Sequence, residues 1–196
     1  MGKSKIKVAC VGDSITWGQG VFLHRGTQSY PALLQKELGR QYDVRNYGMP
    51  NHTMSDLSYF AYCKRGVYRK SLRSGPDVVA IMLGTNDSWQ GWYPELYETQ
   101  LSNLLRTYRA LPSHPNVILM TPYYVSPEAS PVNGDVVRNE VAPIVRKVGE
   151  KESVCVVDMF ALTDGKTEYL CKDGVHPNPE GNAFLAEQIA EAIRGL

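Results

Sequence analysis

The sequence predicts a doubly wound α/β domain, in which helices cover both faces of a sheet of about five parallel strands. Short apolar runs rich in β-branched residues recur along the chain, and segments with helical spacing of apolar residues separate them. The runs are nearly continuously apolar rather than alternating, which is typical of parallel strands buried on both faces. With 196 residues and neither a linker nor an internal repeat, the chain is predicted to form a single domain over 1–196.

The order of the elements follows from these patterns. The predicted strands occupy residues 6–11, 42–47, 77–83, 116–120 and 153–157. The predicted helices occupy residues 28–38, 95–110, 136–151 and 178–194. The second of these helices carries Leu101, Leu104 and Leu105 on one face, and the first stops before Gly39, a common helix C-terminal residue. The region 55–73 is less regular and is expected to hold one or two short helices.

The bulk composition favours a globular protein with neither a nucleic-acid partner nor a membrane span. Lys and Arg number 21 and Asp and Glu number 20, so the net charge is only +1, which gives no basic excess of the kind that binds nucleic acid. No apolar run is long enough to cross a bilayer. Residues 1–5 contain no apolar leader, so the chain as given is expected to be cytoplasmic, or secreted or periplasmic if a signal peptide has been removed.

The four cysteines indicate neither a zinc site nor a redox motif. They are widely spaced and contain no Cys-x-x-Cys pair. Cys10 and Cys155 lie within predicted strands and are expected to be small buried residues. Whether any of the cysteines pair stays open at this level.

Polar residues follow four of the five predicted strands. Ser14 follows the first strand within Gly-Asp-Ser, Gly48 closes the second, and Asn86 follows the third within Gly-Thr-Asn-Asp. Asp173 and His176 follow the fifth strand at a distance and precede the last helix. Because the carboxyl ends of parallel strands share one edge of the sheet, where open α/β folds bind their ligands, we expect these five residues to form one site.

The chemistry that these residue types support is nucleophilic acyl transfer. Ser14 is the predicted nucleophile, His176 the base that removes its proton, and Asp173 the carboxylate that orients the imidazole. The backbone N–H groups of Ser14 and Gly48 and the side-chain amide of Asn86 are the predicted oxyanion donors. The alternatives are structural: Ser14 and Asp173 also suit helix N-termini, and Gly48 and Asn86 suit turns.

Aromatic and acidic residues flank the predicted site. The aromatic side chains that are expected either to wall a substrate pocket or simply to pack are Trp17, Trp89, Trp92, Tyr93, Tyr123 and Tyr124. Asp13 and Asp87, next to Ser14 and Asn86, are expected to brace their loops by accepting backbone N–H groups. His52, close to the second polar block, is expected to be an ordinary loop residue.

The polar blocks resemble those of the SGNH hydrolases, also called the GDSL esterase/lipase family. The matching segments are Gly-Asp-Ser-Ile-Thr, Asn-Tyr-Gly, Gly-Thr-Asn-Asp and Asp-Gly-Val-His-Pro-Asn, which contain Ser14, Gly48, Asn86 and His176 in family order. The resemblance implies a flavodoxin-like three-layer α/β/α fold and a serine esterase that uses neither metal nor cofactor. One departure stands at Asn51, where the family often has a second glycine; asparagine tolerates left-handed backbone, so the turn is expected to survive.

The predicted substrate is a short-chain ester. Extended similarity around Gly-Asp-Ser-Ile-Thr-Trp-Gly-Gln-Gly-Val and Ile-Met-Leu-Gly-Thr-Asn-Asp-Ser looks like the carbohydrate O-acetylesterase branch of the family, including sialate O-acetylesterase-like proteins. The resemblance therefore implies a small-molecule ester partner, with O-acetyl groups on a sugar favoured. A lysophospholipase or thioesterase of the same family is the alternative, although no long apolar lid segment is evident. The oligomeric state stays open.

Three rival classes fit the sequence less well. A metallophosphoesterase would use Asp13, Asp87, Asp173 and His176 as ligands, but that class needs more histidines than this chain places there. A nucleotide- or flavin-binding module would need a complete glycine-rich loop, and the pattern that begins at Gly18 fails. An α/β-hydrolase would need a nucleophile elbow with a second glycine, where Thr16 stands. The sequence therefore favours the serine esterase.

Overall fold

A computed structural model describes residues 4–196, so the prediction drawn from residues 1–5 lies partly outside the described part of the chain. The described residues form a five-stranded sheet in which neighbouring strands run parallel, in the order β2-β1-β3-β4-β5. The strands are β1 (Ile6–Gly12), β2 (Tyr42–Gly48), β3 (Val78–Met82), β4 (Asn116–Met120) and β5 (Cys155–Val157). This is the strand order of flavodoxin-like folds, so the predicted fold class is confirmed.

Helices connect the strands and cover both faces of the sheet. They are α1 (Ser14–Trp17), α2 (Arg25–Gln28), α3 (Tyr30–Leu38), α4 (Gly66–Arg73), α5 (Pro94–Arg109), α6 (Gly134–Val136), α7 (Ala142–Glu152), α8 (Met159–Thr163) and α9 (Pro179–Arg194). Shorter 3₁₀ turns occupy Gln19–His24, Tyr62–Lys64, Asn86–Ser88 and Thr167–Tyr169. The irregular region 55–73, which was expected to hold one or two short helices, contains one 3₁₀ turn and one short helix.

Two apolar cores separate the three layers. Alternate residues of β1 enter them: Val8 and Cys10 join the core beneath α3 and α9, and Ala9 and Val11 join the core beneath α5 and α7. This alternation follows from the two-residue period of a strand, since successive side chains point to opposite faces. Because both faces of the central strands are buried, their sequences read as continuous apolar runs.

Two predicted features differ in the structure. Cys155 is exposed, because β5 is the edge strand of the sheet and only Val157 of that strand is buried. The predicted helix 136–151 is divided into α6, a π-helical turn at Val137–Val141, and α7. Pro143 explains the division, because it has no backbone N–H to donate to the preceding turn.

The topology brings the carboxyl ends of β1, β2 and β3 together at one edge. In the sheet register, Gly12 at the end of β1 lies beside Gly48 on one side and Met82 on the other. The strand order reverses between β1 and β3, and open α/β folds bind ligands at such a switch point. Ser14 and Asn86 lie just after β1 and β3, and Gly48 is the last residue of β2, so the fold places three predicted site residues at one edge of the sheet.

Candidate active site

The turn after β1 holds Ser14 at the first position of α1. Asp13 caps this helix, and its Oδ1 accepts the backbone N–H of Ile15 at 2.9 Å. Gly12 leaves no room for a side chain, because an added Cβ would lie 2.1 Å from the Oγ1 of Thr16. The backbone of this turn therefore packs directly against α1. Ser14 is only 7% exposed.

A chain of hydrogen bonds joins Ser14 to the loop before α9. The Nε2 of His176 lies 2.8 Å from the Oγ of Ser14, and its Nδ1 lies 2.7 Å from the Oδ2 of Asp173. The Oδ1 of Asp173 also accepts the backbone N–H groups of Val175 and His176, each at 2.9 Å. Burial disfavours the carboxylate, but these hydrogen bonds outweigh it, so the pKa of Asp173 lies below its usual range.

The ionised Asp173 fixes the tautomer of the imidazole. A carboxylate only accepts hydrogen bonds, so the Nδ1 of His176 carries the proton and its Nε2 is left to accept the hydroxyl proton of Ser14. The structure thus brings Ser14, His176 and Asp173 together, as the sequence predicted, in an arrangement that can deprotonate a serine.

Gly48 lies at the end of β2, against the backbone of α1. An added Cβ would lie 2.2 Å from the backbone nitrogen of Trp17, so glycine is required by this contact. The backbone N–H of Gly48 donates to the Oδ1 of Asn46 at 2.9 Å, and the amide of Asn46 donates to the carbonyl of Thr16 at 2.8 Å. Sequence reasoning did not foresee that Asn46 shares the N–H of the predicted oxyanion donor.

Asn86 begins the 3₁₀ turn after β3 and is buried. One N–H of its side-chain amide donates to the backbone carbonyl of His52 at 3.0 Å, and a carboxamide has a second N–H to donate. His52 is itself only 4% exposed, and its Nδ1 lies 2.7 Å from the carbonyl of Pro50. Burial lowers the pKa of His52. It is therefore a buried support of Asn86 rather than the ordinary loop residue that we expected.

The two acidic residues beside the site brace their loops, as predicted. Asp13 caps α1, and Asp87 accepts the backbone N–H groups of Met54 and Ser55 at 2.9 and 2.8 Å. Burial is the largest cause that raises the pKa of each carboxyl to about 6, although these hydrogen bonds favour the charged form. Asn51 adopts the left-handed backbone that was expected at this position, with a φ of 64°.

The aromatic residues that were expected near the site have different environments. Trp89 is 42% exposed, and half-buried Trp17 stacks under the guanidinium of Arg25 at 4.1 Å. The indole N–H of Trp92 donates to the Oε2 of Glu140 at 2.5 Å, so this ring ties its loop to the π-helical turn. Trp89 and Tyr93, the latter 58% exposed, present the most open aromatic surfaces of the set.

Tyr123 was expected either to wall a substrate pocket or to pack, and the structure shows packing, so the pocket alternative is wrong for this residue. Its side chain is 0% exposed and belongs to the core beneath α3 and α9. Tyr124 is also buried in that core. The apolar run of β4 continues past its end, and sequence position alone does not separate a rim residue from a core residue.

Two further observations concern metal binding and membrane insertion. Within residues 4–196, no group of three or more His, Cys, Asp or Glu side chains is arranged as metal ligands would be. No helix in that part of the chain combines the length and apolar character that crossing a bilayer requires.

Known proteins resemble the chain over almost its whole length. Residues 10–184 match the GDSL-like Lipase/Acylhydrolase family. An acetylxylan esterase of Xylanibacter ruminicola is 33% identical over 96% of this chain, which spans 43% of that longer protein. An acetylxylan esterase of Geobacillus stearothermophilus is 28% identical over 95% of this chain and 93% of its own length.

A solved structure agrees with these sequence relatives. The lipase/acylhydrolase from Enterococcus faecalis superposes with a TM-score of 0.79 at 25% identity, covering 96% of this chain and 95% of its own. The predicted resemblance and the predicted class, a serine ester hydrolase, are therefore confirmed at the level of the family. The match extends from β1 to α9 and includes every polar block of the site, and the chain belongs to the GDSL-like lipase/acylhydrolase family.

Proposed function

We propose that this protein hydrolyses short-chain carboxylic esters through an acyl-enzyme on Ser14, without a metal ion. The observation that carries the proposal is the continuous hydrogen-bonded chain from Asp173 through His176 to the Oγ of Ser14. A serine hydroxyl is a weak nucleophile at its ordinary pKa, and an adjacent, correctly oriented base is what activates it.

In the first half-reaction, the Oγ of Ser14 attacks the ester carbonyl carbon while Nε2 of His176 takes the hydroxyl proton. The tetrahedral intermediate collapses when the alcohol leaves with that proton, and the acyl group stays on Ser14. Water then attacks the acyl-enzyme, and its proton passes to His176. Collapse of the second intermediate releases the acid and returns the proton to Ser14.

The negative charge that develops on the carbonyl oxygen needs fixed donors. The backbone N–H of Ser14 and the free N–H of the Asn86 amide serve this role in the proposed mechanism. The N–H of Gly48 joins them by sharing its hydrogen between Asn46 and the oxyanion. These donors lie at or just after the ends of β1, β2 and β3, which the sheet register holds side by side.

An O-acetyl group on a carbohydrate is the proposed substrate. Acetylxylan esterases are among the relatives, and one of them matches over nearly its whole length. A long-chain acyl hydrolase of the lysophospholipase or thioesterase kind is the alternative.

Hydrolysis of p-nitrophenyl acetate, butyrate and octanoate, with and without EDTA, tests this proposal. We expect chelator-resistant turnover that is fastest on acetate and falls with chain length, followed by release of acetate from acetylated xylo-oligosaccharides. A preference for octanoate would assign the protein to the long-chain alternative. Turnover that EDTA abolishes would contradict the metal-free mechanism.

A further inference from the structure

Two consecutive residues after β3, Asn86 and Asp87, form hydrogen bonds with the backbone of residues 52–55 in the loop after β2. The amide of Asn86 donates to the carbonyl of His52, and the two carboxylate oxygens of Asp87 accept the N–H groups of Met54 and Ser55. The three hydrogen bonds span 2.8 to 3.0 Å. The position of the Asn86 amide is therefore coupled to a loop that Asp87 holds.

The carboxylate of Asp87 can accept both of these backbone N–H groups, whereas a neutral amide could accept only one. Both oxygens of Asp87 face donors, and a carboxamide would place its own N–H against one of them. Asp87 is only 2% exposed, and no Lys or Arg within residues 4–196 forms a salt bridge with it. The fold thus keeps an unpaired carboxylate buried, which is costly unless the hydrogen bonds compensate it.

We propose that Asp87 is a positioning residue for the oxyanion hole. By holding the backbone at Met54 and Ser55, it fixes the carbonyl of His52, and this carbonyl orients the amide of Asn86 so that its second N–H faces the developing oxyanion. The inference rests on the esterase mechanism proposed above. Asp87 itself contacts neither the nucleophile nor the substrate in this account.

The expected effect follows from the geometry that oxyanion donors require. Such donors act when they are held at hydrogen-bond distance from the place the oxyanion will occupy, and removing one costs about 10²–10³-fold in kcat. A donor that is present but loosely held loses part of that contribution. We therefore expect a loss of about tenfold to a hundredfold in kcat when the tether is broken.

Asp87→Asn in the full chain is the test, with p-nitrophenyl acetate as substrate. We expect kcat to fall about tenfold to a hundredfold with KM changed less than about threefold, because the oxyanion forms only in the transition state. Affinity for a boronic acid that adds to Ser14 should fall by a similar factor. Asp87→Glu, which keeps the charge but lengthens the side chain, should also lose at least about tenfold, and it serves if the first variant does not fold.

Asp158→Asn is the control for a general loss of stability. Asp158 also accepts a backbone N–H, that of Ala161 at the start of α8, but it forms a salt bridge with Arg146 and lies on the edge-strand side of the sheet. It should lower the melting temperature and leave kcat near the wild-type value. A wild-type kcat in folded Asp87→Asn or Asp87→Glu, or an equal loss in Asp158→Asn, would overturn the inference alone. If wild type and Ser14→Ala hydrolysed the ester equally, or neither did, the proposed function would be wrong and this inference with it.

Discussion

The carboxyl group of Asp173 binds both the backbone and the side chain of His176. Its Oδ1 accepts the backbone N–H of His176 at 2.9 Å, and its Oδ2 faces the Nδ1 of the same residue at 2.7 Å. The loop conformation and the orientation of the imidazole are therefore set by one carboxylate. Since Nε2 then lies 2.8 Å from the Oγ of Ser14, this short loop aligns the base with the nucleophile.

Asp173→Asn should separate these two functions. The asparagine Oδ1 can still accept the backbone N–H groups of Val175 and His176, so the loop should keep its conformation. The amide N–H₂ would face Nδ1 and favour the wrong tautomer of the imidazole, and kcat should fall about 10³–10⁴-fold. The measurement is kcat on p-nitrophenyl acetate together with the melting temperature; loss of activity of less than about tenfold would contradict the orienting role.

Gly48→Ala should damage both folding and activity. The added Cβ would lie 2.2 Å from the backbone nitrogen of Trp17, so α1 or the end of β2 must shift. We expect a destabilisation of about 1–3 kcal/mol in urea unfolding, because overpacking costs this much in closely packed regions. Gly26→Ala is the matched control, since nothing lies within 4 Å of its Cβ, and equal stabilities of the two variants would refute the steric argument.

Asn86→Ala should reduce catalysis without preventing substrate binding. The change removes the amide that donates to His52 and, in the proposed mechanism, to the oxyanion. We expect a loss of about 10²–10³-fold in kcat with a small change in KM. Asn103→Ala, at an exposed position of α5, provides the comparison; if both variants kept wild-type kcat, Asn86 would not be an oxyanion donor.

Asp13→Asn should change how stability depends on pH. Burial raises the pKa of Asp13 from 3.8 to about 6, so the charged form is disfavoured in the folded protein. The stabilising contribution of a raised carboxyl pKa is present below pH 3.8 and is lost as the pH rises through about 6. Asparagine has no charge to bury, and its Oδ1 can still accept the N–H of Ile15.

The free energies of unfolding of wild type and Asp13→Asn should therefore converge or cross as the pH rises. Between pH 4 and pH 7 the variant should gain about 2–3 kcal/mol relative to wild type, because the pKa of Asp13 is raised from 3.8 to about 6 in the folded protein. Urea unfolding at several pH values measures this difference. A difference that stays constant over the range would show that Asp13 titrates normally.

The sequence was informative where local pattern decides structure. The apolar runs at β1, β3 and β4 predict the central strands, because strands buried on both faces read as continuous apolar segments. The edge strands β2 and β5 were also predicted, but they are less buried, and the sequence of β2 is more polar. The boundary of β5 is later than predicted because Ser153 takes a left-handed φ of 52° and ends α7. Ser14, His176 and Asp173 were predictable because each follows a strand or precedes a helix at the catalytic edge.

The remaining features depend on tertiary packing. The burial of Tyr123, the bond from Trp92 to Glu140 and the support that His52 gives to Asn86 join segments distant in the chain. No local pattern distinguishes a buried tyrosine after β4 from one at the rim of a pocket. Residue type and spacing therefore located the reacting groups and the acidic residues that brace them, but did not identify the contacts made by His52, Trp92 and Tyr123.

The most direct test of the account is acyl transfer to Ser14. Wild type, Ser14→Ala and Ser102→Ala would be assayed with p-nitrophenyl acetate and quenched early for peptide mass spectrometry; the buried hydroxyl of Ser102 has no hydrogen-bond partner within residues 4–196. We predict that wild type and Ser102→Ala turn over and carry an acetyl group on the peptide containing Ser14, and that Ser14→Ala loses at least about 10³-fold in kcat. Full activity in Ser14→Ala would contradict the central claim.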